Sequence, residues 1–528
     1  MRADERWVSI PGLVQARAAD FAAREALVDD DGAVRHSYAE LGDLLVRSTR
    51  AAMAAGLRPG DRASVWAPNL HEWVTAALGV LGAGGVLVPL NTRFKGFEAA
   101  DILARSGARM LFCVNGFLGT DYPALLAAAG VELPDLTQTV ILRGDVPPAA
   151  TGWADWLAAG TSVDAAEARR RAAAVGPDDL SDIIFTSGTT GRPKGAMATH
   201  GQTLRVFESW SEVIGLRAGD RYLVINPFFH TFGYKAGWVA CLLRGATIIP
   251  QAVFDVDEAM ARVAEERVTV LPGPPTLFQS ILDAPRRKDY DLSSLRLAVT
   301  GAAVVPVELI RRMREELTFQ TIVTGYGLTE ATGTVTMCRA GDDAETIALT
   351  SGRAIPDTEC RIVDEKGNEV PSGEPGEVVT RGYHVMRGYL DDPAATAEAI
   401  DADGWLHTGD IGVMDERGYV RITDRKKDLF IVGGFNAYPA EIEGLLLRHP
   451  AVSQVAVVGM PDGRLGEVGA AFVVLRPGRQ LTPEVLIAWA SDEMANFKVP
   501  RRVEIVDALP LNASGKVLKT ELRDRLST

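Results

Sequence analysis

The sequence predicts an α/β fold with mostly parallel sheets, then a small antiparallel or barrel-like unit, then a compact α+β end. Three observations carry this. Short apolar runs alternate with helical periods through most of the chain, a pattern that places helices on the faces of parallel sheets. Near residue 350 it changes to short strands set apart by Gly, Pro and Asp. A dense charge run, Asp424-Arg425-Lys426-Lys427-Asp428, then precedes the final segment.

Up to residue 140, runs such as Arg62–Trp66 and Val86–Leu90 read as strands between helical stretches. The longest apolar run, Ala76–Leu90, holds four glycines and ends at a proline-containing strand. A membrane span needs about 18–20 apolar residues, so this run reads as a buried helix entering a buried strand. Residues 143–181, rich in Ala, Arg, Asp and Gly, read as exposed helix and linker. Ile183–Phe185, Tyr222–Ile225, Thr247–Ile249, Val268–Leu271, Leu297–Val299 and Thr321–Val323 are strand candidates, with helical periods over Asp257–Arg267 and Pro306–Leu317. Glu359–Asp364, Gly376–Arg381, Ile411–Asp415 and Tyr419–Thr423 form the second pattern. Finally, Pro439 opens a helix with Ile442, Leu445 and Leu446 at i, i+3 and i+4, and Pro450 closes it. The domain boundary falls in the charge run, giving 1–424 and 425–528.

At 528 residues with 47% hydrophobic and 23% charged residues, the chain has the balance of a soluble globular protein. A net charge of −14 argues against a nucleic-acid partner, which requires a basic face. Cys113, Cys241, Cys338 and Cys360 show no C-x-x-C spacing and read as reduced and not zinc-bound. The N-terminus lacks an apolar signal-peptide core, so no membrane span and a cytoplasmic location are expected. A homodimer is left open.

The most informative segment is Ile183-Ile184-Phe185-Thr186-Ser187-Gly188-Thr189-Thr190-Gly191-Arg192-Pro193-Lys194-Gly195. An apolar strand feeds a loop with three glycines, four hydroxyls and a lysine. Glycines let backbone N–H groups approach phosphate oxygens, hydroxyls add donors, and Lys194 adds charge. A Walker A loop would end in Gly-Lys-Ser/Thr, whereas Pro193-Lys194-Gly195 stands here. Further along lie Gly301-Ala302-Ala303, Tyr326-Gly327-Leu328-Thr329-Glu330, Trp405-Leu406-His407-Thr408-Gly409-Asp410, the charge run, and Pro510-Leu511-Asn512-Ala513-Ser514-Gly515-Lys516.

In this order the set resembles the adenylate-forming superfamily of acyl-CoA synthetases, peptide-synthetase adenylation domains and beetle luciferases, over residues from about 20 to 520. The resemblance implies a large domain, 1–424, of two stacked, mostly parallel αβ sheets plus a β-barrel-like subdomain. A small mobile lid, 425–528, turns about a hinge at Lys427. It implies ATP, Mg²⁺ and coenzyme A. Thr186, Ser187, Gly188, Thr189, Thr190, Gly191 and Lys194 would hold the phosphates. Gly301, Ala302, Ala303, Gly325, Tyr326, Gly327 and Thr329 would form the adenine side, with Tyr326 stacked on the base. Asp410 would accept from the ribose hydroxyls, with Arg425 adding a donor and Lys427 nearby. Glu330, with Thr186, would hold Mg²⁺ against the phosphates. Lys516 would bridge the α-phosphate and the attacking carboxylate, so Lys516, His230, Glu330 and Thr186 form the implied catalytic set. After the lid turns, Gly433 and Gly434 would line a tunnel for the pantetheine arm.

For the acid, Tyr222–Gly245 holds no Asp or Glu to pair an ammonium group, which argues against an α-amino acid. No carrier domain follows Lys516, which favours a free-standing CoA ligase over an enzyme that loads a carrier protein. Phe229, His230, Phe232, Gly237, Trp238, Thr276, Leu277 and Thr332, with Gly301 and Gly325, suit an apolar alkyl or alicyclic acid. Segments Asn226–Gly237, Leu271–Thr276, Arg287–Ser294 and Met337-Cys338-Arg339 are similar to actinobacterial ligases that activate the propanoate side chain of a steroid C/D-ring remnant. Lys235, a charge within an apolar stretch, needs a partner: a distal substrate oxygen or, as favoured here, a structural acid.

Overall fold

The computed structural model describes residues 1–29, 32–186, 193–301, 305–425, 428, 430–432, 435–494, 496–511 and 517–526, with backbone alone at 424, 425, 431, 435 and 436. The chain divides into two compact units. The first comprises Met1–Gly301, Val305–Glu359 and Thr380–Leu406; the second comprises Cys360–Val379 and the chain from His407 onward.

The first unit is built on two large sheets. One has nine strands; at its centre Val270–Pro272, Leu297–Gly301 and Thr321–Tyr326 run parallel to one another, and its outer pairs are antiparallel. The other has eight; Arg62–Trp66, Val86–Pro89 and Ala108–Cys113 are parallel, and Leu180–Thr186 pairs in parallel with Val86–Pro89. Strands buried on both faces read as continuous apolar runs, which is why they are visible in the sequence. The Ala76–Leu90 run is a helix, His71–Gly82, entering the strand Val86–Pro89. That helix is buried from Glu72 to Gly82, as expected for one that is apolar all round. One continuous core joins side chains from both sheets, Ile183 and Phe112 with Val224 and Val299 among them.

The strand after the glycine-rich loop, Lys194–Thr199, turns back antiparallel on Leu180–Thr186, pairing Thr186 with Lys194. Thr199 then caps the helix His200–Val213: its hydroxyl accepts from the Gln202 N–H while the Gln202 side chain accepts from the Thr199 N–H. The interval 143–181 contains two short helices, Trp153–Ala159 and Ala165–Ala173.

The antiparallel pattern expected after residue 350 is a four-stranded sheet of Thr358–Val363, Pro375–Gly382, Leu406–Met414 and Val420–Arg425. The α+β end is organised by a long hairpin, Val452–Asp462 against Gly466–Leu475. Alternate residues of the first strand serve opposite faces: Val455 and Val457 join one apolar cluster with Ile442 and Leu486, while Ala456 and Val458 join another with Leu522. Pro439–Leu446 is a helix with proline in its first turn. Among the described residues no helix is long and apolar enough to cross a membrane.

Candidate active site

The carboxyl ends of adjacent parallel strands share one edge of a sheet, where α/β proteins bind ligands. Gly301 ends its strand in direct register with Gly325, the last residue but one of the neighbouring strand. A Cβ on Gly301, whose φ is +150°, would stand 3.2 Å from the Gly325 carbonyl oxygen, so a side chain there would crowd the next strand. Tyr326 closes its strand, half-buried, with its carbonyl taking the Val335 N–H. At Gly327 a Cβ would lie 2.1 Å from the Gly333 carbonyl oxygen, which keeps this turn closed to other residues.

The turn carries Glu330 in a short 3₁₀ segment, Thr329–Ala331. The Glu330 Oε1 atom accepts two hydroxyl groups, from Thr186 at 3.1 Å and Tyr389 at 2.9 Å. Thr186 arrives on the strand Leu180–Thr186; Tyr389 arrives on a two-residue strand, Gly388–Tyr389, registered against Ala196. The Lys194 ammonium lies 5.1 Å from the centre of the Tyr389 ring. Burial, and then the neighbouring Glu330 charge, push the Tyr389 phenol well above its ordinary pKa, so it remains a donor at any working pH. The turn is tied from behind. Met386 N–H donates to the Glu330 carbonyl at 2.8 Å, and the fully buried Thr332 donates its hydroxyl to the His384 carbonyl at 2.7 Å. Thr332 sits in the left-handed region at φ 55°, a strained conformation for a β-branched residue that these bonds hold in place.

The acid-side segment is arranged differently. His230 caps Thr231–Gly233, its Nδ1 accepting from the Phe232 N–H at 3.3 Å. Burial lowers its pKa, leaving a neutral ring with its proton on Nε2. A π-helix, Tyr234–Val239, follows at once; such wide turns cluster at functional sites. Phe229 is buried beside it and Phe232 half-buried. Gly237 faces Val224, and Trp238 is fully buried, stacked on Tyr234 at 5.0 Å and edge-on to Trp73. In the helix Pro275–Asp283, Thr276 is exposed and Leu277 packs beside Gly273. Lys235 has the structural acid expected for it: its ammonium lies 2.9 Å from Asp182 Oδ1, both side chains 1% exposed.

In the second unit Asp410 is buried on the strand Leu406–Met414, its N–H donating to Thr408 Oγ1 and its backbone registered with Arg425. Ser187, Gly188, Thr189, Thr190, Gly191, Ala302, Ala303, Lys427, Gly433, Gly434 and Lys516 lie outside the described residues, as does the Arg425 side chain.

The structure adds residues that the sequence reading missed. Tyr389 is one. Asn69 is another: its Nδ2 donates to the carbonyls of Val224 and Asn226, each at 2.9 Å, and its Oδ1 accepts from the Phe228 N–H at 2.7 Å. Arg105 donates to the Pro193 carbonyl at 2.7 Å beside the end of the glycine-rich loop. No local pattern marks these residues, because each acts across a long stretch of chain.

A model of the AMP-binding enzyme family matches residues 14–390, and one of the AMP-binding enzyme C-terminal domain matches 441–516. The chain belongs to the AMP-binding enzyme family. It is 50% identical over 523 residues to a 3-[(3aS,4S,7aS)-7a-methyl-1,5-dioxo-octahydro-1H-inden-4-yl]propanoyl:CoA ligase of Rhodococcus jostii, covering 98% of this chain and 99% of that one. It is 51% identical to the ligase of the same name from Mycobacterium tuberculosis, with 98% of each chain covered. Among solved structures, the anthranilate CoA ligase AuaEII in complex with anthranoyl-AMP superposes with a TM-score of 0.87 at 27% identity, covering 100% of this chain and 99% of that one. This AMP-binding enzyme is an ATP-dependent acid–CoA ligase.

Proposed function

We propose that the acid is a propanoate attached to a fused, keto-bearing alicyclic ring system, activated in a steroid-degrading route. The observation that carries this is the near-full-length identity of about half to two ligases whose names specify that substrate. The apolar character of the His230 segment, whose Lys235 is paired with Asp182, supports it, since a bulky uncharged ring body gains from apolar burial. Thioester formation should be measured with the bicyclic keto-propanoate, octanoate and ferulate under identical conditions. The bicyclic acid should give a kcat/KM at least tenfold above the others; preference for a linear or aromatic acid would reject the assignment.

In this reading the acid's carboxylate attacks the α-phosphorus of ATP, and diphosphate leaves. Two anions must meet, so most of the catalysis lies in placement and in donors aimed at developing charge. The glycine-rich loop and Lys194 would hold the phosphates, Tyr326 the adenine, and Asp410 with Arg425 the ribose. His230, with a neutral Nε2–H, is suited to line the acid's path without repelling or neutralising its carboxylate. Lys516, carried by a lid hinged near Lys427, would supply the ammonium for the first half-reaction. The CoA thiol, reaching the site along Gly433 and Gly434, would then attack the adenylate's acyl carbon and release AMP. The Glu330 carboxylate with two hydroxyl oxygens around it is an all-oxygen donor set suited to Mg²⁺, which takes one or two carboxylates plus phosphates. Glu330 and Thr186 would hold that ion, which when bound neutralises phosphate charge.

A further inference from the structure

Lys235 and Asp182 form an ion pair in the core of the first unit, and the adenylation chemistry described above makes no use of either. Pairs of this kind seldom repay their desolvation: apolar residues of similar volume usually serve stability as well or better. The retained charges therefore call for another explanation, and their positions offer one. Lys235 lies on the π-helix Tyr234–Val239, five residues after His230 and continuous with the turn that His230 caps. Asp182 lies on the strand Leu180–Thr186, four residues before Thr186. With a period of two, Asp182 and Thr186 share a face of that strand, roughly 13 Å apart.

Both partners are held from their own side. Asp182 Oδ2 accepts the Ser181 hydroxyl at 2.7 Å, leaving Oδ1 for the ammonium at 2.9 Å. Tyr234 beside Lys235 is locked between Trp73 and Trp238. The ammonium thus bridges two rigid elements, one leading to the acid side and the other to Thr186, Glu330 and the phosphates.

We infer that the Lys235–Asp182 pair is a positioning device that sets the distance and angle between the acid-binding segment and the phosphate-binding strand. This rests on the proposed acid site. The reaction needs the carboxylate within about 3–3.5 Å of phosphorus, and a shift of about 1 Å can cost a hundredfold in rate. A directional charged contact fixes such a separation more narrowly than interchangeable methyl groups, which can slide.

The test compares the wild type with the double variant Lys235→Met/Asp182→Leu, which leaves no unpaired charge in the core, and with Asp182→Asn, which keeps the shape. Melting temperature, ATP binding and the single-turnover rate of adenylate formation are measured for each. The expected result for the double variant is a melting temperature at or above wild type, unchanged ATP binding, and adenylation slowed at least tenfold. Asp182→Asn should be slowed by a smaller factor. A wild-type adenylation rate in either folded variant would overturn the inference, because a purely structural pair affects stability and not rate. His230→Ala, run alongside, keeps the two questions apart. An unchanged KM for the acid in that variant would count against the acid site itself, whatever the pair does.

Discussion

The proposed phosphate side and the proposed acid side of this enzyme are stabilised in opposite ways. Around Glu330 the contacts are hydroxyl to carboxylate between half-buried groups, Thr186 and Tyr389 both donating to one oxygen. Around His230 the polar contacts sit in the core: Asn69 is 3% exposed, and Lys235 and Asp182 1% each. Groups that must exchange partners when a charged ligand arrives cannot be fully desolvated, since each unpaired moment would cost too much. Groups that only hold a shape can be buried against a fixed partner. In these two places exposure, more than residue type, separates the groups proposed to meet the phosphates from those that hold the His230 segment in shape.

The largest test of that contrast brings in a charge from neither region. Lys516→Ala should slow adenylation by about 10²–10³-fold, the usual loss for a donor aimed at developing charge. It should retain thioester formation from supplied acyl-adenylate. Equal loss of both would mean that one arrangement of the chain serves both half-reactions. Next, the buried scaffold should respond in stability. Asn69→Ala leaves the Phe228 N–H and the Asn226 carbonyl without this partner, while the Val224 carbonyl keeps the Gln251 N–H; at about 1–3 kcal/mol for each of these two buried groups, the cost in urea unfolding should be about 2–6 kcal/mol. A loss below about 0.5 kcal/mol would show that the Val224–Phe228 segment is not held by this side chain.

The scaffold should also carry an acid limit. Burial, and then Lys235, push His200 down to about 3, and burial pushes His384 down to about 4. Both lie below the ordinary value of 6.5, so the unfolded chain binds more protons than the folded one as pH falls. The stability these neutral rings confer is therefore complete above about pH 6.5 and is lost between there and about pH 4 for His384 and about pH 3 for His200, at roughly 1.4 kcal/mol per pH unit for each histidine. Replacing each with asparagine should flatten the slope of unfolding free energy between pH 6.5 and 4.5; an unchanged slope would place the acid sensitivity elsewhere. Smallest is Tyr389→Phe. Loss of one hydroxyl from the half-buried Glu330 site should lower kcat/KM for ATP by about three- to tenfold, as for one hydrogen bond of about 1 kcal/mol, with the melting temperature nearly unchanged. No kinetic change would remove Tyr389 from the phosphate side.

Much of this was legible in the chain. The buried parallel strands declare themselves as apolar runs, and the glycine-rich loop, Tyr326–Glu330 and Thr408–Asp410 stand out because close backbone approach and charge restrict residue choice. Lys235 announced a partner, though not which one. The hairpin strand Lys194–Thr199 was missed because its Ala, Gly and Met lack a β pattern; antiparallel pairing with Leu180–Thr186 overrides local preference. Gly388–Tyr389 is too short to give any period. Tyr389 and Asn69 meet their partners across 59 and up to 159 residues of chain, a relation no local pattern encodes.

The central claim, that this enzyme adenylates an alicyclic propanoate before any thiol takes part, is tested most directly by exchange of labelled diphosphate into ATP without CoA. Exchange should depend on the bicyclic keto-propanoate and fall by about 10²–10³-fold in Lys516→Ala. Exchange that is absent with this acid, or that proceeds only when CoA is added, would contradict it.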